Sequence, residues 1–158
     1  MKKGKKIFDR NNLKFIFEDM KFETEIETGA ITCTIKGEFE SNWPMSVVSK
    51  RVFANAQLET VGYEKRRNIV YGLNTFKATV NANKTDKYSE EIGKRIAESK
   101  CKAKIYIKAM KLISDMAEES EKEIHNLKNL GARYLGYFAK EKMHQMEVDL
   151  LHNGKNSK

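Results

Sequence analysis

The hydrophobic period of this chain changes once, and that change narrows the folds open to it. Up to about residue 80 apolar side chains recur at every second position, whereas beyond residue 89 they recur at alternating spacings of four and three. A period of two suits a strand with one buried face, and a period near 3.5 suits a helix that buries a seam. The expected fold class is therefore α+β: a small antiparallel sheet in the N-terminal half packed with a long helix or helical hairpin in the C-terminal half.

Three apolar runs make the first strands. Leu13, Phe15 and Phe17 share one face, then Phe22, Thr24 and Ile26, then Ile31, Cys33, Ile35, Gly37 and Phe39, with Thr32, Thr34, Lys36 and Glu38 opposite. Thr28 and Gly29 separate the second and third runs and offer the positive-φ position of a hairpin. Residues 45–58 fit both periods; a helix is favoured because Ser41 or Asn42 can cap it and Pro44 is tolerated in a first turn. Lys65, Arg66 and Arg67 read as a turn, and 69–80 as a β-rich run interrupted near Gly72 and Asn74. Residues 1–12 carry five cations against Asp9 and read as a flexible basic arm.

The helical half opens at Ser89, whose hydroxyl can cap while Glu90 and Glu91 favour the positive dipole end. A heptad-like seam then runs from Ile92 through Ile96, Ser99, Ala103, Tyr106, Met110, Ile113, Ala117, Ser120, Ile124, Leu127, Gly131 and Tyr134 to Phe138, widened by Ile105, Ala109, Leu112 and Met116. One very long helix satisfies this pattern. So does a hairpin broken at 118–120, where Ser120 and Glu123 form a capping box. The break is favoured, because an unbroken helix leaves much of its seam without a partner unless the chain forms a homodimer. The domain reading is an arm at 1–12 and one domain at 13–158, strand-rich over 13–83, helical over 84–152 and frayed from 153.

Several function classes drop out. No apolar run approaches the roughly 20 residues of a membrane span, and the lysine-rich start is not followed by a signal-peptide core, so no membrane association and a cytoplasmic location are expected. Cys33 and Cys101, far apart in sequence and each without a second cysteine nearby, read as reduced packed thiols. His144 with Glu147 is one metal-reaching pair without further ligands, and no nucleophile elbow, Walker loop or dinucleotide glycine pattern occurs. The chain is read as having no catalytic residues, metal site or cofactor.

The stretch Asp86-Lys87-Tyr88-Ser89-Glu90-Glu91-Ile92-Gly93-Lys94-Arg95-Ile96-Ala97, entered from the strand at 76–80, resembles a segment of small proteins of bacteriophages and mobile elements. In these an acidic residue, an aromatic, a capping residue and a glycine precede a helix with an Ile-Ala or Leu-Ala pair. The resemblance implies a setting and assigns no binding residue. Such elements encode small inhibitors of host defence nucleases, so it implies an accessory protein whose partner is a nucleoprotein complex such as a CRISPR effector nuclease.

Charge carries the site reading. The net charge is +8 with a pI of about 9.4, which favours anionic partners. Residues 94–111 hold Lys94, Arg95, Lys100, Lys102, Lys104, Lys108 and Lys111 against Glu98 alone, and Lys100, Lys104, Lys108 and Lys111 are spaced to form one helical stripe. Together with Lys65, Arg66 and Arg67, the residues Lys94, Arg95, Lys100, Lys104, Lys108 and Lys111 are the candidate contacts to nucleic acid or a nucleoprotein complex; Lys50, Arg51 and the basic arm could add to them, and Tyr63 and Tyr71 could stack on bases. An acidic block at 115–123 follows. Opposed blocks also suit antiparallel self-association, so the alternative function is a structural protein dimerising through its seam.

Overall fold

The computed structural model describes residues 5–10, 13–42, 46–81 and 90–155, and divides the chain into two compact units, Met1–Ala117 and Glu118–Lys158. Length alone led to the expectation of one domain. The first unit is α+β, as the change of period requires. Its strands β1 (Lys5–Arg10), β2 (Leu13–Thr24), β3 (Ile31–Ser41), β4 (Thr60–Glu64) and β5 (Ile69–Val80) form one antiparallel sheet in the order β1-β2-β3-β5-β4. Helix α1 (Ser46–Asn55) lies between β3 and β4 in sequence, and α2 (Glu90–Lys155) follows β5.

The first two apolar runs belong to one strand, except that Ile26, expected in the second run, lies in the turn beyond Thr24 and is exposed. β2 pairs with β3 along its whole length, and the register slips between Phe17 and Asp19, where Glu18 is the extra residue of a β-bulge. Phe15 and Phe17 lie opposite Phe39 and Gly37, and past the slip Met20 and Phe22 lie opposite Ile35 and Cys33. The bulge moves the core-facing set from odd to even numbers, so one strand looks like two in the sequence. At the far end Gly29 takes φ 68° and donates its N–H to Glu25 O at 2.8 Å, the positive-φ role expected of it.

Three other segments differ from expectation. Residues 5–10 pair with β2 as an edge strand instead of fraying. Gly72 and Asn74 do not interrupt β5, because Gly72 lies opposite Phe39 in an unbroken ladder and leaves room for the Leu58 side chain. The ambiguous segment 45–58 is helical over Ser46–Asn55; Ser41, one of the two expected caps, ends β3, buried, with its hydroxyl 3.2 Å from that of Ser49. Pro44 and the cap at Ser89 lie outside the described residues.

One sheet face carries the core. The odd-numbered residues of β3 from Ile31 to Ser41 alternate buried with half-exposed or exposed neighbours, and Phe15, Phe39 and Phe76 meet at ring centroids 4.8 to 6.1 Å apart. Tilted and edge-on rings at such distances add to their burial. Val48, Val52 and Phe53 of α1 and Ala97, Cys101, Ile105, Ala109, Leu112 and Met116 of α2 complete the same cluster. The spacing of four, four, four, three and four is a helix stripe seated on the sheet.

Helix α2 is unbroken from Glu90 to Lys155, so the favoured break at 118–120 does not occur and the helix passes the expected end at 152. Lys122 is paired with Glu118 at 2.9 Å and Glu119 at 3.0 Å, i,i+4 and i,i+3 links across the turn where a break would fall. No proline or glycine lies between Lys94 and Leu130 to oppose the helix.

Candidate interaction surfaces on the long helix

Within the first unit α2 has three faces. Ala97, Cys101, Ile105, Ala109, Leu112 and Met116 are buried on the sheet. Four of these, Ile105, Ala109, Leu112 and Met116, are the residues that in the sequence only widened the seam; Ala97 and Cys101 stood outside it. The seam itself, Tyr106, Met110 and Ile113, lies to one side of the buried face and is exposed. The basic stripe lies to the other side.

Two lysines of that stripe are tied to the body of the protein. Lys108 Nζ donates to Ala56 O at 2.5 Å, and Lys104 Nζ donates to Lys77 O at 2.5 Å. Ala56 follows the last residue of α1, so Lys108 places an ammonium at that helix's negative dipole end. Partial burial, followed by the neighbouring Lys111, holds the Lys108 pKa below its ordinary value. Lys94 pairs with Glu90 at 2.6 Å, Arg95 with Glu91 at 2.7 Å and Lys102 with Glu98 at 2.6 Å. Lys100 and Lys111 are exposed with no ion-pair partner among the described residues.

The second basic cluster is the turn between β4 and β5. Asn68 there takes φ 54°, and Arg67 pairs with Glu64 at 3.5 Å, leaving Lys65 and Arg66 exposed without an ion-pair partner among the described residues. The two tyrosines considered for stacking are engaged locally. Tyr63 donates its hydroxyl to Asn68 Oδ1 at 2.7 Å while Lys50 Nζ sits 3.5 Å from its ring centroid. Tyr71 lies opposite Gly62, where its ring fills the space a Cβ would take. Lys65 and Arg66 belong to a turn, and Lys100 and Lys111 to a helix.

Cys33 and Cys101, unrelated in the sequence reading, are both fully buried in the core, and Cys101 donates to Phe76 O at 3.2 Å. Burial, with Cys101 beside it, pushes the Cys33 thiol up to about 12, and burial raises Cys101 as well. Thiols in that state are poor nucleophiles. His125, His144 and His152 are exposed on α2, and among the described residues no three His, Cys, Asp or Glu side chains are placed to hold a metal ion. Among those residues, too, no helix is long and apolar enough to cross a membrane.

The second unit presents the surface that sequence reasoning had taken for core. Over residues 118–155 α2 has no described buried residue, yet Ile124, Leu127, Tyr134 and Phe138 hold the four-and-three spacing, with Leu127 64%, Tyr134 65% and Phe138 59% exposed. Leu130, Leu135 and Tyr137 flank them, also exposed, and Tyr134 and Tyr137 touch edge-on at 6.0 Å. A Cβ built on Gly131 or Gly136 meets nothing within 4 Å among the described residues. No known protein family, curated protein or solved structure matches this chain.

Proposed function

We propose that this is a non-enzymatic interaction protein that self-associates through the C-terminal part of α2. The observation that carries this reading is the uncovered heptad seam at residues 124–138. Exposed apolar residues scattered singly are ordinary, but a contiguous helical stripe of Ile, Leu, Tyr and Phe marks an interaction surface. In proteins most helical stability comes from packing an apolar face against another element, and a stripe of this kind is commonly buried against another helix. Sedimentation equilibrium of the full chain at micromolar concentration tests the reading. A mass twice 18.3 kDa is expected, and a mass of 18.3 kDa defeats it.

One observation favours a second reading, binding of nucleic acid or of a nucleoprotein complex. Lys65, Arg66, Lys100 and Lys111 are exposed cations without ion-pair partners among the described residues, on a chain of net charge +8. Lysine-dominated contacts of this kind hold phosphates without reading bases. Replacing those four with Gln should lower retention of a labelled oligonucleotide at low salt and flatten the salt dependence. Unchanged retention removes this reading.

A further inference from the structure

We infer that the partner for residues 118–155 is the same segment of a second copy, running antiparallel, with Gly131 of each chain seated against Tyr134 of the other. The inference rests on the self-association proposed above and adds the direction and register of the pair. Size argues first. The seam contains one gap, Gly131, between two bulky layers, Leu127 with Tyr134 and then Phe138. In a parallel pair in register each residue meets its own copy, so Gly131 faces Gly131 across a void while Tyr134 and Phe138 crowd their counterparts. Voids and overpacked layers are both unfavourable in a helix interface. In the antiparallel register that sets Gly131 opposite Tyr134, Leu127 falls opposite Phe138, so these layers combine a smaller with a larger residue, and Ile124 falls opposite Glu141 at the edge of the seam.

The open space at Gly131 fits this arrangement. Nothing among the described residues approaches the position of a Cβ there, so their packing does not account for a glycine in mid-helix. A tyrosine from a neighbouring helix does, because it needs close approach to the backbone.

Charge points the same way. Residues 118–123 hold four carboxylates against Lys122, whereas 128–142 hold Lys128, Arg133, Lys140 and Lys142 against Glu141. Antiparallel pairing brings each acidic end beside the other copy's basic end, with Glu121 flanking the seam next to Lys142 of the partner helix. Parallel pairing sets the acidic ends side by side and stacks Glu141 on its own copy within the seam. Like charges so placed oppose association.

The test uses the full-length chain carrying Glu121→Cys in one preparation and Lys142→Cys in another. Both sites are exposed and lie beside the seam, and the native thiols are buried. Under mild oxidation the mixture should form a disulfide-linked dimer and neither preparation alone should. In parallel, Lys142→Glu should weaken the dimer by about tenfold and the added Glu121→Lys should restore it. A wild type that sediments as a dimer, but whose cysteine variants fail to cross-link in the mixture or cross-link singly, overturns the antiparallel register and leaves self-association standing. A monomeric wild type overturns both.

Discussion

Lys108 and Ala56 are joined by a hydrogen bond of 2.5 Å from the ammonium of α2 to the carbonyl that follows α1. This contact turns a residue that looks like a phosphate ligand into a fastening between two helices. A charged hydrogen bond to a partly buried carbonyl contributes more than an exposed ion pair, about 1.5–3 kcal/mol. Lys108→Met should therefore lower unfolding stability in urea by about 1–2 kcal/mol. Lys111→Met, three residues on and exposed, should stay within about 0.5 kcal/mol of wild type. Equal effects would mean that the Lys108 contact contributes nothing specific.

Cys33 and Cys101 should be silent to thiol reagents in the native protein. Both are fully buried, and a thiol raised to about 12 is almost wholly protonated at neutral pH. An aromatic disulfide reagent at pH 8 should label neither thiol over the time in which it labels both in 6 M guanidinium. Rapid native labelling of one equivalent would show that α2 opens from the sheet.

The strand half was legible because alternation along a half-buried strand leaves a mark that burial of one face requires, and Ile31 to Phe39 show it without interruption. The bulge at Glu18 was not legible as a bulge: a phase slip and a chain break look alike in one dimension, and only pairing with β3 separates them. In the helix, periodicity located one seam and its widening at Ile105, Ala109, Leu112 and Met116, but not that the sheet would cover the widening and leave the seam exposed. The small residues Ala97, Cys101 and Ala109 admit close approach of the sheet, whereas Tyr106 and Met110 stay outside. Two lysines of the stripe have partners that the sequence does not show. Lys104 and Lys108 border the buried face, and long stems let their ammonium groups reach backbone carbonyls that no sequence pattern reveals.

Glu38 gives the fold a pH dependence. It lies on the sheet face opposite the core, half-buried, and burial together with Glu40 and Glu18 raises its carboxyl from 4.5 to about 7. Lys14 is engaged with Glu40 at 2.5 Å. A carboxyl whose folded pKa lies above its unfolded value takes up a proton on folding between the two. Its stabilising effect is then present below about pH 4.5 and is lost as pH rises through 7. Glu38→Gln should raise stability at pH 8 by on the order of 1 kcal/mol, allowing for solvent screening, and change it little at pH 4.5. An equal gain at both pH values would assign the effect to something other than ionisation.

Gly131 and Gly136 separate the stability of the helix from its association. Both lie in the interior of α2, and among the described residues neither has a neighbour within 4 Å of the place a Cβ would occupy. Alanine is better than glycine in a helix interior by about 1 kcal/mol, so within a single chain both substitutions should strengthen the C-terminal helix. The two differ in azimuth. Gly131 falls on the seam between Leu127 and Tyr134, while Gly136 falls on the far side of the helix from it. Gly136→Ala should raise the thermal midpoint of the helical signal and leave the dimerisation constant within about twofold. Gly131→Ala should raise the helicity of dilute protein and weaken dimerisation by about tenfold, because the added methyl occupies the space taken by a tyrosine of the second copy. If both glycines responded alike, with association unchanged, the seam at 124–138 would not be where two copies meet.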